Sequence, residues 1–448
     1  MPKKKTALTI EERLQQALVP AEEQPYEVPE NWVWVRLGAI AEIVTGGTPS
    51  KKHPEYYGGN FPFYKPSDLD QGRLTYDASE YLSEEGKNVS RIIPKNSTAV
   101  CCIGSIGKCG YLMCEGTTNQ QINSAIPKIN SLCLYYYLCT ENFVQDLLSM
   151  ASATTIAIVN KSKMESCAFP LPPLSEQQRI VERIEELLAK LDEAKERLQE
   201  VADSFAVRKA AILHKAFTGE LTKQWRRENG VSDESWEESN FGKFTVSQYG
   251  YTEKAHWEKV GPKFLRITDI QDNKVDWDEV PWCPIDEAGM KQYAVQIGDI
   301  MIARTGATTG KSYLICDDVE AVFASFLIRL KVVDKNLDYN YLYGYMQSED
   351  YWRQITDFSS GIAQPGVSAN KLKQIKFKCP SLPEQHEIVR LIDDLLARER
   401  AAQQVAEQAL ASIDLMKKSI LARAFRGELS TNKASEASAL ELLRQVLS

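Results

Sequence analysis

The chain has 448 residues, of which 43% are hydrophobic and 25% are charged. Its length is about three times that of a common domain, which predicts two or more domains, and its composition excludes a disordered or collagen-like chain. The net charge of −8 argues mildly against nucleic acid as a partner, because phosphate contacts favour a basic surface. The longest apolar runs are shorter than the roughly 20 residues of a transmembrane helix, which predicts no membrane segment.

The first 170 residues divide into an N-terminal extension and a globular domain. The extension, residues 1–28, contains a predicted short helix at Thr9–Pro20. The first domain, residues 29–170, is predicted to be rich in strands, because β-branched and aromatic residues alternate in Asn31–Val44. A helix is predicted at Leu134–Met150.

A helical segment follows at residues 171–222. Prolines 172 and 173 end the domain, and Ser175 is predicted to cap a helix, with Gln178 at the capping-box spacing. Apolar residues then recur at steps of three and four, which predicts a coiled-coil seam. The seam residues of this segment are Ile184, Leu187, Leu191, Leu198 and Phe205.

The second half of the chain has the same order of segments. A second domain, residues 223–379, is predicted to have a strand at Lys263–Ile270 and a helix at Asn340–Ile355. A second helical segment, residues 380–430, carries the seam residues Ile392, Leu395 and Ile413. The tail, residues 431–448, is predicted to end in a short amphipathic helix.

These halves are a tandem repeat. Residues 172–222 align without a gap on residues 380–430, and 20 of the 51 positions are identical. A looser repeat pairs Phe63–Leu69 with Phe264–Ile270, and the glycine-rich turn at Gly104–Lys108 with that at Gly306–Lys311. Large seam residues in the first helix and alanines in the second predict that the two helices, each about 60 Å long, pack on each other. The alternative is that each helix lies on its own domain.

Enzyme and metal chemistry are mostly absent from the sequence. The ten cysteines form no Cys-x-x-Cys pair and the four histidines are scattered, so no metal site is predicted; reduced thiols in a cytosolic protein fit better. The segment Gly306–Ser312 resembles a phosphate-binding loop, but only three residues separate its glycines where four are needed. The turn also differs in length between the repeats, which argues against a nucleotide site there. We therefore expect a non-catalytic protein.

The chain resembles the specificity (S) subunit of type I DNA restriction–modification systems. The resemblance lies in Pro29–Gly59, which is similar to the start of that family's target-recognition domains, and in the segments PLPPLSEQQRIVERIEELL, CPSLPEQHEIVRLIDDLL, AFTGEL and AFRGEL. It implies a mixed α/β (α+β) fold of two pseudo-repeated target-recognition domains joined by two long antiparallel coiled-coil spacer helices. It also implies a DNA-reading subunit in which each domain reads one half of a bipartite asymmetric target.

The resemblance further implies the partners of the chain. These are double-stranded DNA, two modification (M) subunits that dock on the helix pair and carry S-adenosylmethionine, and restriction (R) subunits that use ATP and Mg. The chain itself is expected to bind no cofactor or metal, and to lie in the cytoplasm of a bacterium or archaeon, at the nucleoid. Because of its acidity, partner subunits are expected to supply much of the positive surface.

Candidate DNA contacts come from polar, glycine-bounded loops with basic and aromatic members. For each of them the alternative is an ordinary surface loop, a structural turn or a solvated face. In the first domain the candidates are Thr48, Ser50, Lys51, Lys52, Tyr56, Tyr57, Lys65, Ser67, Asp68, Asn119 and Gln120. In the second domain they are Tyr249, Tyr251, Lys254, Arg266, Thr268, Asp269, Arg304, Thr305, Gln364 and Lys371. Lys371 is the first of four lysines, at 371, 373, 376 and 378, that are predicted to share a strand face.

Two other functions compete with DNA recognition. One is a coiled-coil scaffold that joins two protein-binding domains without contacting DNA. The other is an enzyme that uses the Gly306–Ser312 loop on nucleotides. The terminal segments have no counterpart between the repeats, and the sequence leaves open whether they cap the domains or dock an M subunit.

Overall fold

The computed structural model describes residues 9–152, 157–271, 273–359 and 366–448. The chain forms two compact units. Unit 1 contains Met1–Leu198 and Gln408–Ser448, and unit 2 contains Gln199–Glu407. Each unit thus combines one domain with parts of both helical segments.

Helices and strands alternate along both halves, with short 3₁₀ turns between some of them. The helices are α1 (Ile10–Ala17), α2 (Leu37–Ile40), α3 (Glu84–Asn88), α4 (Ser131–Leu138), α5 (Glu141–Met150), α6 (Lys161–Ser166), α7 (Leu174–Asp203), α8 (Phe205–Phe217), α9 (Lys223–Glu228), α10 (Phe241–Phe244), α11 (Glu287–Tyr293), α12 (Tyr339–Tyr345), α13 (Glu349–Ser359), α14 (Ala369–Leu372), α15 (Leu382–Ala424) and α16 (Ala439–Leu447). The strands are β1 (Val33–Arg36), β2 (Ala41–Thr45), β3 (Tyr57–Tyr64), β4 (Glu80–Leu82), β5 (Thr98–Cys101), β6 (Cys109–Tyr111), β7 (Thr117–Thr118), β8 (Ile122–Pro127), β9 (Ala168–Leu171), β10 (Glu237–Asn240), β11 (Thr245–Tyr249), β12 (Lys263–Leu265), β13 (Ile270–Gln271), β14 (Lys274–Val275), β15 (Ile300–Ala303), β16 (Ser312–Leu314), β17 (Ala321–Phe323), β18 (Leu327–Val332) and β19 (Lys376–Cys379).

The two domains share one sheet topology. In the first domain an antiparallel sheet has the strand order β2-β8-β5-β6, and in the second the order is β11-β18-β15-β16. Each domain also has a parallel pair, β3 with β7 and β12 with β17, and an antiparallel pair that closes it, β1 with β9 and β10 with β19. This repetition confirms the predicted fold class of two pseudo-repeated mixed α/β domains.

The long helices pack on each other within each unit, which the sequence predicted. In unit 1, Lys417 of α15 forms an ion pair with Asp192 of α7, with 2.5 Å between Nζ and Oδ1. In unit 2, Arg208 of α8 pairs with Glu399 of α15 at the same separation. The first helix is interrupted at Ser204, whose hydroxyl bonds the carbonyl of Val201 and so competes with the helix ladder.

The seam residues differ in how far their side chains are buried. Ile184, Ile392 and Ile413 are buried, whereas Leu187, Leu191, Leu198, Phe205 and Leu395 are half-buried. At the helix ends, Phe425 packs on Tyr137 in unit 1 and Phe217 on Tyr345 in unit 2, with ring centroids 5.1 and 5.5 Å apart. The end of each long helical segment therefore rests on the domain at the other helix's start. The first turns of each long helix also pack on their own domain, so the alternative arrangement describes the helix starts.

A buried glutamate at the start of each long helix holds the chain segments together. Glu384 of α15 is fully buried and accepts hydrogen bonds from Trp236 Nε1 at 3.0 Å, Thr222 Oγ1 at 2.7 Å and Arg226 Nη1 at 2.7 Å. The threonine follows the Gly-Glu-Leu end of the first helical segment. This carboxylate thus joins the end of one helical segment to the start of the other.

Glu176 of α7 plays the same part in unit 1. It accepts hydrogen bonds from Trp32 Nε1 at 2.7 Å, Thr431 Oγ1 at 3.1 Å and Asn432 Nδ2 at 2.8 Å. The donors here are all neutral, whereas Glu384 also faces a buried guanidinium. The repeated tryptophan, glutamate and threonine therefore form one network, built twice.

The glutamine after each of these glutamates fixes the neighbouring helix. Gln177 accepts from the backbone N–H of Asn130, the N-cap of α4, and donates to the carbonyl of Pro172. Gln385 does the same for Asp338, the N-cap of α12, and donates to the carbonyl of Pro380. The identity of the Glu-Gln pair in the two repeats thus has a structural cause.

The terminal segments complete unit 1. Arg13 of α1 donates to the carbonyl of Leu447 in α16 at 2.9 Å, and Leu14 and Leu443 are buried in the core of the unit. Ala439 donates to the carbonyl of Asn31. Both predicted terminal helices therefore form, and they cap the domain.

Several predicted elements differ from the structure in their extent. Asn31–Val44 is two strands around the short helix α2, and Leu134–Met150 is two helices that break where Thr140 caps α5. Asn340–Ile355 likewise lies in α12 and α13. Ser175 is not an N-cap, because α7 begins at Leu174 and the N–H groups of Glu176 and Gln177 bond the carbonyl of Pro173. Local hydrogen bonds at the helix ends decide the boundaries at Thr140 and Pro173.

Replacing Glu384 with alanine should destabilise unit 2 by about 3 kcal/mol, because the buried guanidinium of Arg226 loses its buried carboxylate partner. Arg226 would keep only Asp233 as a carboxylate partner among the described residues. Urea unfolding of the full chain measures the change. The matched control is Asp394→Ala on the same helix, which removes an exposed ion pair with Arg398 and should cost less than about 1 kcal/mol. Equal losses in the two variants would contradict the anchoring role of Glu384.

Candidate nucleic-acid interface

The loop at residues 46–58 of the first domain leaves strand β2 through a close backbone contact. A Cβ atom on Gly46 would lie 2.2 Å from the carbonyl oxygen of Asn119, so only glycine fits there. Thr48 donates to Gln120 Oε1, which ties this loop to the amide-rich turn after β7. The loop and the turn therefore form one surface.

The basic and aromatic residues of this loop divide between solvent and the fold. Lys51 and Lys52 are exposed and have no ion-pair partner among the described residues, and Ser50 is also exposed. Tyr57 is half-buried and donates to the carbonyl of Pro49 at 2.6 Å, while Tyr56 stacks on the ring of His53. The two lysines are thus free to contact phosphates.

The turn that contains Lys65, Ser67 and Asp68 has an internal role. The Asp68 carboxylate is buried and accepts from the backbone N–H of Lys65 at 2.7 Å and of Ser79 at 3.1 Å. Lys65 also pairs with Glu80 at 2.9 Å, whereas Ser67 is exposed. Asp68 therefore holds the turn and does not face solvent.

The equivalent turn of the second domain has the same construction. Asp269 accepts from the backbone N–H of Arg266 at 2.8 Å and from its guanidinium at 2.6 Å, and Thr268 is exposed. Hydrogen bonding with Asp269 raises the pKa of Arg266. This aspartate, too, is a structural residue, which leaves the basic and hydroxyl side chains beside it as candidates for DNA contact.

The amide-rich turn offers one exposed amide. Asn119 is buried and exchanges hydrogen bonds with the backbone and side chain of Gln121, at 3.1 and 3.0 Å. Gln120 is exposed beside Thr48. Of the two predicted residues, Asn119 shapes the turn and Gln120 faces solvent.

In the second domain, Arg304, Thr305 and Tyr249 lie together. The Arg304 guanidinium lies 4.8 Å from the centre of the Tyr249 ring, and the Tyr249 hydroxyl accepts from the backbone N–H of Ala369. Thr305 pairs with Gly366 in an isolated bridge. The guanidinium is thereby held in place by an aromatic face, without a carboxylate partner among the described residues.

The remaining candidates of the second domain are dispersed. Tyr251 packs on Tyr293 with ring centroids 5.3 Å apart, and Lys254 is exposed in the loop at residues 250–262. Lys371 donates to the carbonyl of Phe358 at 2.5 Å. Gln364 lies outside the described residues.

The four lysines before the second helix do not share one strand face. Lys371 lies in α14 and Lys373 at its end, while only Lys376 and Lys378 lie on β19, where both are exposed. Lys376 forms an ion pair with Glu238 at 3.2 Å. The helix cap at Ser368 begins a helical turn where the alternation suggested a strand.

The glycine-rich turns join strands of the main sheets. The turn at residues 304–311 connects β15 to β16 and leads into a strand, whereas a phosphate-binding loop leads into a helix. Gly310 has a φ of 88°, and a Cβ there would lie 2.6 Å from Ile355; Gly107 stands in the same relation to Val144. These glycines let a helix pack on the turn, so the turn is built differently from a phosphate-binding loop.

Three solvent-facing residues near these loops escaped the sequence analysis. Trp257 and Phe326 are 67% and 62% exposed, and Trp257 lies beside the Arg266 guanidinium at 5.6 Å. Arg91 donates to the carbonyl of Thr45 at the start of the 46–58 loop. Gly250, which begins the loop that contains Trp257, is the counterpart of Gly46, because a Cβ on Gly250 would likewise lie 2.2 Å from a backbone carbonyl, that of Ala324.

All ten cysteines are free thiols. Burial raises the pKa of Cys102 to about 12 and the pKa of Cys283 to about 11, so these thiols stay protonated and unreactive. Among the described residues no cluster of histidine, cysteine and acidic side chains could hold a metal ion. No helix in this part of the chain has the length and apolar character needed to cross a bilayer.

One known family matches both halves of the chain. The family model described as "Type I restriction modification DNA specificity domain" matches residues 29–203 and residues 235–408. The two matches cover both domains and the first part of the long helical segment after each.

Curated relatives match over most of their length. The chain is 26% identical to the type I restriction enzyme EcoBI specificity subunit of Escherichia coli, over 91% of this chain and 88% of the relative. It is 24% identical to the EcoKI specificity subunit of E. coli strain K12, over 92% of each, and 26% identical to the MjaVIII specificity subunit of Methanocaldococcus jannaschii, over 85% of this chain and 91% of the relative.

A solved structure has the same fold. The crystal structure of the HsdS subunit from Thermoanaerobacter tengcongensis superposes with a TM-score of 0.65 at 18% identity, over 91% of this chain and 99% of that chain. Specificity subunits are the non-catalytic components of type I systems, in agreement with the absence of catalytic motifs from the sequence. By its family match, its relatives and its fold, the chain belongs to the type I restriction–modification DNA specificity family.

Proposed function

We propose that this chain is the subunit that reads a bipartite, asymmetric DNA target for a type I restriction–modification complex. The observation that carries the proposal is that the two domains repeat one sheet but differ in the side chains of the loops that follow β2 and β11. These loops begin at Gly46 and Gly250, and each glycine lies against backbone carbonyls at the end of a strand of the domain's parallel pair, β7 or β17. One scaffold thus presents two reading surfaces.

The chemistry of the two surfaces differs. The first domain presents the amide of Gln120 beside the hydroxyl of Thr48, and amides pair well with adenine in the major groove. The second presents Arg304 on the Tyr249 ring, and a guanidinium pairs well with guanine. Two unlike surfaces would read two unlike half-targets, so the whole target would be asymmetric.

The other subunits would contribute the chemistry and much of the positive charge. The relatives are named as subunits of type I restriction enzymes. In this proposal two M subunits dock on the helix pair and bring S-adenosylmethionine, and R subunits bring ATP and Mg, in the cytoplasm at the nucleoid. The net charge of −8 favours this division, because an acidic chain by itself binds polyanionic DNA weakly.

Exchanging residues 35–168 for the matching part of another specificity subunit should change only one half of the methylated sequence. The cut points lie in β1 and β9, the pair that closes the first domain, so the exchange leaves the helices and the second domain intact. Methylome sequencing of a host that carries the system reads out both halves. Changes in both halves would contradict independent reading, and no split sequence at all would contradict the proposed function.

Replacing Lys51 and Lys52 with glutamine should weaken binding to every DNA sequence alike and lower the salt dependence by about one unit of slope per lysine, because phosphate contacts release counterions. The measurement is the affinity of the complex with M subunits for target and non-target duplexes over a range of salt concentrations. Lys95→Gln is the control, since Lys95 is another exposed lysine of the first domain. A loss restricted to the target duplex would show base contacts instead.

Deleting seven residues from each long helix, 193–199 in α7 and 401–407 in α15, should shorten the gap between the half-targets by about three base pairs. Seven residues span about 10 Å of helix, and base pairs are 3.4 Å apart. Methylome sequencing again measures the gap. Deleting the heptad from one helix only should abolish recognition, because the paired seams lose their register. An unchanged gap in the double deletion would show that the helices do not set the spacing.

A further inference from the structure

A cleft in unit 2 brings together four cations that lack partners. It has a volume of about 960 Å³ and is lined by Lys209, Lys274, Lys311 and Arg400, together with one carboxylate, Asp393. None of the four cationic side chains forms an ion pair or a side-chain hydrogen bond with any residue of the described chain. Among the lining residues that the structure describes, four positive charges thus face a single acid.

In the first repeat, the positive charges at the positions equivalent to this cleft are balanced by acids. The positions that align with the cleft residues form three ion pairs in unit 1. Lys108 pairs with Asp70 at 2.7 Å, Arg73 with Glu185 at 3.2 Å, and Lys417 with Asp192 at 2.5 Å. Each cation of the first repeat therefore has its own carboxylate.

Two differences between the repeats remove carboxylates that would balance the positive charge of the cleft in unit 2. Gln271 stands where the first repeat has Asp70, and Arg400 stands where it has Asp192. The alignment in this region is supported by the backbone, since Gly72 and its counterpart Asn273 both have a φ of 59°. Two acids have thus been replaced, one by an amide and one by a further cation.

A third difference between the repeats creates the volume of the cleft. In unit 1 the buried ring of Tyr136 fills this position and donates to Glu185 at 3.2 Å. The second repeat has Gly344 there, and Gly344 lines the cleft. Loss of the ring and loss of the acids coincide in one place, which leaves a concave and strongly basic cavity.

Two of these cations, Lys209 and Arg400, lie close enough to repel each other. Burial lowers the pKa of Lys209, and the nearby Arg400 guanidinium lowers it further. Such mutual repulsion is relieved when a multivalent anion binds between the cations. Amides of Gln347 and Asn340 and the half-buried Tyr343 complete a polar wall, opposite apolar side chains of the long helices such as Ile392 and Leu396.

We propose that this cleft binds a nucleoside polyphosphate, with the phosphates between the four cations and the nucleoside against the polar and apolar walls. Its volume lies in the range of about 300–1,000 Å³ of small-molecule sites, and a duplex is too wide to enter a cleft of this size. The site differs from a phosphate-binding loop, because Lys311 contributes its side chain while the glycine turn before it stays packed on α13. It is also independent of the DNA-reading loops.

The test is calorimetric titration of the full chain, in complex with M subunits, with ATP and with inorganic tripolyphosphate. Both should bind, and ATP should bind more tightly because its nucleoside contacts the walls of the cleft; equal affinities would contradict the place given to the nucleoside. Lys311→Gln and Arg400→Asp should each weaken binding by about 10-fold or more, as expected for the loss of a charge-assisted hydrogen bond. Lys335→Gln, which removes an exposed lysine of the same unit, should leave both affinities unchanged.

A filling variant tests the cavity without changing its charge. Gly344→Tyr restores the residue of the first repeat and should abolish binding while thermal unfolding and DNA recognition are retained. Binding of neither ligand at millimolar concentration would overturn the proposal, and so would binding that survives all three cleft variants. Displacement of bound tripolyphosphate by a short duplex would reassign the cleft to nucleic acid and would also overturn it. Loss of DNA recognition in the loop variants alone bears on the proposed function and leaves this site untouched.

Discussion

The buried carboxylate at the start of each long helix is the interaction on which the rest of the structure depends. Glu176 and Glu384 each collect hydrogen bonds from a tryptophan at the entry to a domain and from a threonine beyond the end of a helical segment. A buried acceptor with this many donors is costly to leave unsatisfied, so the segments must meet there. Domain, helix start and helix end are thereby fixed around one group in each unit.

Divergence of the repeats has been unequal across the fold. The glutamate network, the glutamine that caps the next helix and the phenylalanine at each helix end are retained in both copies. The loops after β2 and β11 differ in their side chains, and so does the site where Tyr136 in one copy corresponds to Gly344 in the other. Shared packing maintains a common scaffold, while surfaces that face solvent are free to acquire different ligands.

The sequence predicts the architecture because the repeat and the heptads are local patterns. It does not predict the role of a side chain that is fixed by a contact with another part of the fold. Asp68 and Asp269 looked like candidates for DNA contact, yet each accepts backbone N–H groups within its own turn. Lys371 and Lys373 lie in and at the end of a capped helical turn, where their spacing suggested a strand. The exposed Trp257 and Phe326 lie in loops whose equivalence to the first domain becomes clear only from the sheet topology.

The sequence by itself determined the tandem order of domains and helices, the coiled-coil seams and membership of the specificity family, because periodicity, repetition and motif spacing are properties of the chain. Only the tertiary structure decided what the repeated Glu-Gln pair does and which loop residues face solvent. It also decided that the cleft of unit 2 gathers four cations, where the same place in unit 1 has three cations that are each paired with a carboxylate. The physical reason is that hydrogen bonding, burial and charge compensation join residues far apart in the chain. Their partners cannot be read from local sequence.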